Sequence, residues 1–228
     1  MNVETLVTLI AMGAMVGFGL LVVYAFRLYE RQRGQAWEAL AKELGFAYLP
    51  EDPALLHEYS FPLFEKGMNR RASNVLRGEA RGIEVVLADY RYAAGGEKGG
   101  STSYQQSICI VKAEALGLPL FSARPAQFID RFMTLVGQGG LLFEEDPDFS
   151  EAFIVQGEEE PVRELFTARA RNFFREHEEE YRRLFLSLEG AGGALLLVSS
   201  RRLSPKECLG FLRIAFDLLA LWAQPGAA

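Results

Sequence analysis

An uninterrupted apolar run opens the chain: Thr5–Phe26 is twenty-two consecutive uncharged residues, ending at Arg27. As a helix rising about 1.5 Å per residue, such a run spans roughly the 30 Å hydrocarbon core of a bilayer. Eleven of its residues are Leu, Ile, Val or Phe, which outweighs the weakly polar threonines and glycines on insertion. The period then changes. Trp37, Leu40, Ala41 and Leu44 fall at i, i+3, i+4 and i+7, so Leu28–Leu44 continues as an amphipathic helix with Gly34 as a weak point and Gly45 as its stop.

Alternation at period two takes over next. Phe46–Leu49 reads as a short strand ended by Pro50, and Pro53–Tyr59 as a turn or two of helix. Ala72–Ala80, Ile83–Tyr92 and Thr102–Ala113 read as strands, joined by a tight turn at Gly82 and by the Gly-rich loop Gly95–Ser101. In the second strand Ile83, Val85 and Leu87 alternate with Val86, Ala88 and Tyr90, so it is a central strand covered on both faces. Leu118–Ser122 is a further strand whose Pro119 suits a first position or an edge.

The second half mixes both periods. The pattern predicts a helix over Pro125–Val136, short strands at Leu141–Phe143 and Ala152–Gln156, and a short helix from Pro161 to Phe166. Thr167 caps a longer helix to Leu184 with Phe173, His177, Tyr181 and Leu184 along one side. Phe185–Glu189 and Ala194–Ser199 form a hairpin. Ser204-Pro-Lys-Glu207 then carries the N-cap, N1 proline and N3 acid of a capping box. The helix it opens runs to about Ala223 and is almost wholly apolar apart from Arg213 and Asp217, an i, i+4 pair.

These elements predict an α+β fold: an N-terminal transmembrane helix, then a mostly antiparallel sheet packed with helices, the apolar C-terminal helix among them. The boundaries are an anchor at 1–27, a juxtamembrane helix at 28–45 and a domain at 46–224. Two lobes, 46–137 and 138–224, remain open.

The flanks of the apolar run decide what kind of segment it is. No Lys or Arg precedes it, no small-residue cleavage site follows it, and it exceeds a signal-peptide apolar region. It reads as an uncleaved anchor. Arg27, Arg31 and Arg33 follow it and act as topology determinants, placing the domain in the cytoplasm and the N-terminus outside a bacterial inner membrane. Gly13 and Gly17, with Ala14 beside them, give a G-x-x-x-G face on which two copies of the span can pair as a homodimer.

Charge and chemistry narrow the function classes. The net charge is −6, the chain is 50% hydrophobic, and the acids concentrate in the second half, which argues against nucleic acid. Cys109 and Cys208 lie in apolar surroundings and read as small buried hydrophobes. His57 and His177 stand in no metal-ligand spacing; no metal, cofactor or catalytic set is assigned. Glu144–Glu160 holds eight acids and no base. Its Glu144, Glu145, Asp146, Asp148 and Glu151 lack the spacing of a calcium loop and read as a solvated loop or as a face for a basic protein partner. Glu178–Arg182 and Glu179–Arg183 are i, i+4 pairs. Asp89-Tyr90-Arg91 reads as strand whose charges face outward; a buried polar cluster there would instead favour an enzyme.

Phe61-Pro-Leu-Phe64 before Gly67, Asn74-Val-Leu-Arg-Gly78, Leu87-Ala-Asp-Tyr-Arg-Tyr92, Asp146-Pro-Asp-Phe-Ser-Glu-Ala-Phe-Ile-Val155 and Val162-Arg-Glu-Leu-Phe166 together resemble bacterial membrane-anchored proteins with a cytoplasmic α+β domain of unknown function. The resemblance implies an architecture and no activity. The reading is therefore a membrane-anchored, non-catalytic protein whose cytoplasmic domain binds a partner as a scaffold or accessory subunit. A ligand- or lipid-sensing module, with a pocket between sheet and C-terminal helix, is the alternative, and an enzyme with an unrecognised site is third.

Overall fold

A computed structural model describes residues 3–95, 100–113, 116–126 and 140–223, with side chains from Met12 onward. One helix, α1 (Val3–Leu44), contains both the apolar run and the amphipathic segment without a break. Its Met12–Leu44 part is apolar and long enough to cross a membrane. Trp37, Leu40 and Ala41 are buried in the domain core. Gly45, at φ +71°, ends the helix: the Gly45 amide donates to the Lys42 carbonyl at 3.3 Å and that of Phe46 to Ala41 at 2.8 Å, the paired bonds of a Schellman stop. Gly34 is no kink. A Cβ there would lie 3.2 Å from Tyr48 Oη and 3.4 Å from Asn74 Oδ1, so the missing side chain lets the helix approach the sheet.

The chain continues through β1 (Ala47–Glu51), α2 (Leu55–Glu58), α3 (Pro62–Glu65), β2 (Met68–Ala80), β3 (Ile83–Gly95), β4 (Ser101–Lys112) and β5 (Leu118–Pro125). After residue 140 follow α4 (Pro147–Ala152), β6 (Phe153–Gly157), α5 (Glu159–Leu165), α6 (Ala168–Glu176), α7 (Glu178–Leu184), β7 (Leu186–Gly192), β8 (Ala194–Ser199) and α8 (Pro205–Ala223). The eight strands form one antiparallel sheet in the order β1-β2-β3-β4-β8-β7-β5-β6. Strands from both halves of the chain thus share one continuous sheet, joined where β4 pairs with β8.

Alternation sorts the two faces. Val85, Leu87, Cys109, Val111, Leu195 and Leu197 meet α1, α8 and the helices of the second half in the larger core. Val86, Ala88, Tyr90, Ile108, Ile110 and Leu196 meet α2 and α3 on the opposite face. An aromatic cluster fills the far end of the larger core, with Phe153 edge-on to Phe174 at 5.4 Å and Phe121 edge-on to Trp222 at 5.7 Å. Both cysteines are free and buried; burial pushes each thiol up, holding it protonated.

Several sequence expectations need correction. Pro50 lies inside β1 rather than ending it. Pro119 is not on an edge strand, since β5 lies between β7 and β6; the pairing with β7 slips between Leu118 and Phe121, where no proline N–H is needed. Leu141–Phe143 is not a strand, although the Leu141 amide donates to the Val155 carbonyl at 2.7 Å. The helix from Thr167 breaks at His177 into α6 and α7. Its buried stripe runs through Phe174, not Phe173, before Tyr181 and Leu184. Arg213 reaches Glu180 at 2.7 Å instead of pairing with Asp217. Most of the expected helix over Pro125–Val136, and the tip of the Gly95–Ser101 loop, lie outside the described residues.

The caps follow the sequence. Thr167 Oγ1 accepts from the Ala170 amide at 3.3 Å. Glu207 accepts from the Ser204 amide at 2.8 Å while Ser204 Oγ accepts from the Glu207 amide at 3.4 Å. Arg201 and the Ser204 amide hold the Glu207 carboxyl down to about 2.

Gly78 of β2 lies under the Phe46 ring, where a Cβ would meet Cδ1 at 2.0 Å. Gly78→Ala should therefore destabilise the domain by about 1–3 kcal/mol through overpacking, a loss that thermal denaturation would read directly.

Candidate functional site at the junction of α1 and the sheet

The apolar rows of the larger core end in a polar row. Ser73, Asp89, Ser107 and Ser199 lie opposite one another across β2, β3, β4 and β8. Asp89 follows Val85 and Leu87 in phase, so alternation points its carboxylate toward the helices. Asp89 is 4% exposed and Tyr90 1%, leaving only Arg91 of that tripeptide facing outward. That corrects the outward orientation expected for Asp89.

Five donors converge on the Asp89 carboxylate. Arg33 makes a forked pair, Nε to Oδ2 at 2.7 Å and Nη2 to Oδ1 at 2.6 Å. Asn74 Nδ2 donates at 2.9 Å, Arg202 Nη2 at 3.1 Å and Ser107 Oγ at 3.3 Å. Asn74 reaches Asp89 because β2 bulges between Ser73 and Leu76, with Asn74 at φ 49°; asparagine tolerates that left-handed conformation, and bulges re-aim side chains. Tyr48 Oη donates to Asn74 Oδ1 at 3.0 Å; burial first, then Glu38 and Asp89, raise the tyrosine's pKa.

Two further contacts bind the loop before α8. Arg33 Nη2 also donates to the Leu203 carbonyl at 2.7 Å, and the Leu203 amide donates to Ser107 Oγ at 2.9 Å. Arg202 forks onto Glu30 at 2.5 and 2.9 Å. Burial opposes the charge on Arg202, but its bonds to Glu30 and Asp89 more than offset this and raise its pKa. Arg33 also lies 5.7 Å over the Trp37 ring. One network thus ties α1, β2, β3, β4 and the β8–α8 loop together.

Chemically the cluster is a clamp. With both oxygens of Asp89 already accepting charge-assisted bonds, no lone pair is poised to take a substrate proton. Beside the clamp lies a cavity of about 230 Å³ lined by Phe26, Glu30, Arg71, Arg91, Gln105 and Arg202 among others. The interface between the sheet and α8, by contrast, is filled by Cys208, Phe211, Ile214 and Leu218.

The residues singled out from sequence separate. Gly13, Ala14 and Gly17 are exposed on α1, and a Cβ at either glycine would meet nothing within 4 Å. Arg27 and Arg31 are exposed; Arg33 is buried in the clamp rather than beside them. Asp146 caps α4 through the Phe149 amide at 3.2 Å and pairs with Arg171 at 3.2 Å and Arg175 at 3.4 Å. Glu145 pairs with Arg171 at 3.0 Å and Asp148 with Arg175 at 3.6 Å. Glu144 and Glu151 remain exposed at the surface. Glu178 pairs with Arg182 at 2.6 Å as expected.

A larger open groove of about 990 Å³ runs over the uncovered part of the second sheet face, between Pro62, Leu120, Pro161 and the buried Glu189. Burial raises the Glu189 pKa, opposed by the Leu63 amide at 3.0 Å and by Lys66. The folded state then binds its proton more tightly than the unfolded chain, so this group's contribution falls as pH rises from near 4.5 through the raised folded value. Glu189→Gln should raise the melting temperature at pH 7, and the gain should vanish near pH 4. A gain independent of pH in paired melting curves would contradict the assignment.

No family model and no curated protein sequence matches the chain. Its fold is similar to that in the crystal structure of the mycobacterial trehalose monomycolate transport factor A, TtfA. The TM-score is 0.57 at 16% identity, over 87% of this chain and 99% of that one. At that identity the likeness concerns the fold.

Proposed function

We propose that this chain is a membrane-anchored, non-catalytic accessory protein: α1 crosses a bacterial inner membrane and holds the α+β domain at its cytoplasmic face, where the domain binds a partner protein. The observation that carries this reading is the continuity of α1. The apolar run passes directly into the helical turns bearing Glu30, Arg33 and Trp37, so a span in the bilayer would hold the domain beside it with no slack linker. Arg27 and Arg31 favour the cytoplasmic side for the domain. The saturated Asp89 clamp favours a structural over a catalytic role. The neighbour of similar fold is described as a transport factor, which favours a partner belonging to a transport machinery.

Affinity capture of the full chain from detergent-solubilised native membranes tests the reading. A stoichiometric membrane-protein partner is expected, and Glu144→Lys with Glu151→Lys should weaken its retention. Recovery of no specific partner, together with a monomer by mass photometry, would overturn it.

A further inference from the structure

The clamp fixes the direction in which the sheet runs relative to α1. Gly34 sits against Asn74 in the middle of β2, and Phe46, just past the helix, sits against Gly78. β2 therefore ascends alongside α1, and β3, antiparallel to it, descends toward the apolar run. Beyond Asp89 the strands extend toward the apolar run as Met68–Arg71, Arg91–Gly95 and Ser101–Gln105, mostly exposed.

The 230 Å³ cavity lies at that end, and Phe26, the last residue of the uncharged run, forms part of its wall. With α1 spanning the membrane, this is the depth of the phospholipid headgroups. Arg71 and Arg91 flank the cavity, both exposed. Arg71 leans on Glu51 at 3.4 Å, with both side chains about half exposed. Arg91 forms no ion pair among the described residues. Arg202 Nε is buried at the cavity wall without a hydrogen-bond partner. Farther along, Tyr92 stacks on Tyr104 at 4.9 Å and Met68 is exposed, the amphipathic content of a membrane interface. The cavity wall also carries Glu30, Glu51 and Asp89; Arg202 holds Glu30 and Asp89, and Glu51 lies against Arg71, which leaves the Arg91 guanidinium as the uncompensated charge of that wall among the described residues.

We infer that the junction cavity takes the phosphate of an anionic inner-leaflet phospholipid, held between Arg71 and Arg91 with the lipid chains running along Phe26. The inference rests on α1 being the span of the proposed function. Exposed guanidiniums at headgroup depth attract anionic lipid at roughly one factor of five each, and Arg pairs suit phosphate oxygens.

The test is native mass spectrometry of the full chain released from nanodiscs of phosphatidylcholine and phosphatidylglycerol. Phosphatidylglycerol should be retained in preference, and Arg71→Gln with Arg91→Gln should cut its retention by at least about fivefold. Lys42→Gln, at the distal end of α1, should leave it unchanged, and circular dichroism should show the double variant folded. Equal retention of both lipids, or no change in the double variant, overturns the inference. So does displacement of phosphatidylglycerol by millimolar inorganic phosphate, which would mark a free-phosphate site. Release of the chain from membranes by alkaline carbonate is a separate result; it would overturn the span itself.

Discussion

Asp89→Ala is expected to destabilise the domain by about 3–5 kcal/mol, the range for removing one partner of a buried ion pair. The reason is what remains. Arg33, with its side chain 8% exposed, loses both arms of its fork, and Arg202 loses one of its two carboxylates. Asn74 Nδ2 is orphaned as well. Against a total stability of about 5–15 kcal/mol for a typical domain, that leaves the fold marginal, and urea denaturation would show it as a large drop in midpoint. The double replacement Arg33→Met with Asp89→Leu should be less damaging than Asp89→Ala alone, because the stranded charge goes with its partner. If the single variant changes stability by less than about 1 kcal/mol, the clamp holds nothing together.

Trp37→Ala should cost about 3–5 kcal/mol through loss of a large buried side chain and the cavity it leaves. Trp37 is fully buried, flanked by Leu40 and Ala41, and carries the Arg33 guanidinium over its ring. The variant therefore removes packing and disturbs the clamp together, and its effect should not add simply to that of Asp89→Ala. Stability comparable to the parent in equilibrium unfolding would mean that α1 is an appendage rather than part of the core.

Much of this was legible in the chain. Uninterrupted hydrophobicity marks the apolar, exposed half of α1, and the i, i+3, i+4 spacing of Trp37, Leu40 and Ala41 marks the buried face of the same helix. Alternation located β2, β3, β4 and β8, and Ser204 with Glu207 located the start of α8. All of these are local signals, carried by neighbours in sequence. The clamp is not local: Arg33, Asp89 and Arg202 lie 56 and 113 positions apart along the chain.

A weaker signal was present there too. Asp89 stands in phase with Val85 and Leu87, so strict alternation already sends it to the helix-covered face. A charged side chain in that phase requires a partner from elsewhere, and an arginine on the amphipathic segment of α1 is the natural donor. The buried stripe after Thr167 is hidden for a related reason: Phe173 and Phe174 both suit a helical stripe, and only tertiary packing selects Phe174. The bulge at Asn74 likewise depends on Asp89 and Tyr48, which no window around Asn74 contains.

One unbroken helix joins the apolar run to the folded domain. A nitroxide scan in nanodiscs over the exposed positions between 24 and 39 of the full chain, sparing the clamp and core residues Glu30, Arg33 and Trp37, reads this directly. Lipid access up to Phe26 and slow, domain-limited motion at Arg27, Leu28, Arg31 and Gln32, all exposed on the same unbroken helix, are expected. Rapid isotropic motion at positions 27–32, or water access at the positions up to Phe26, would contradict it.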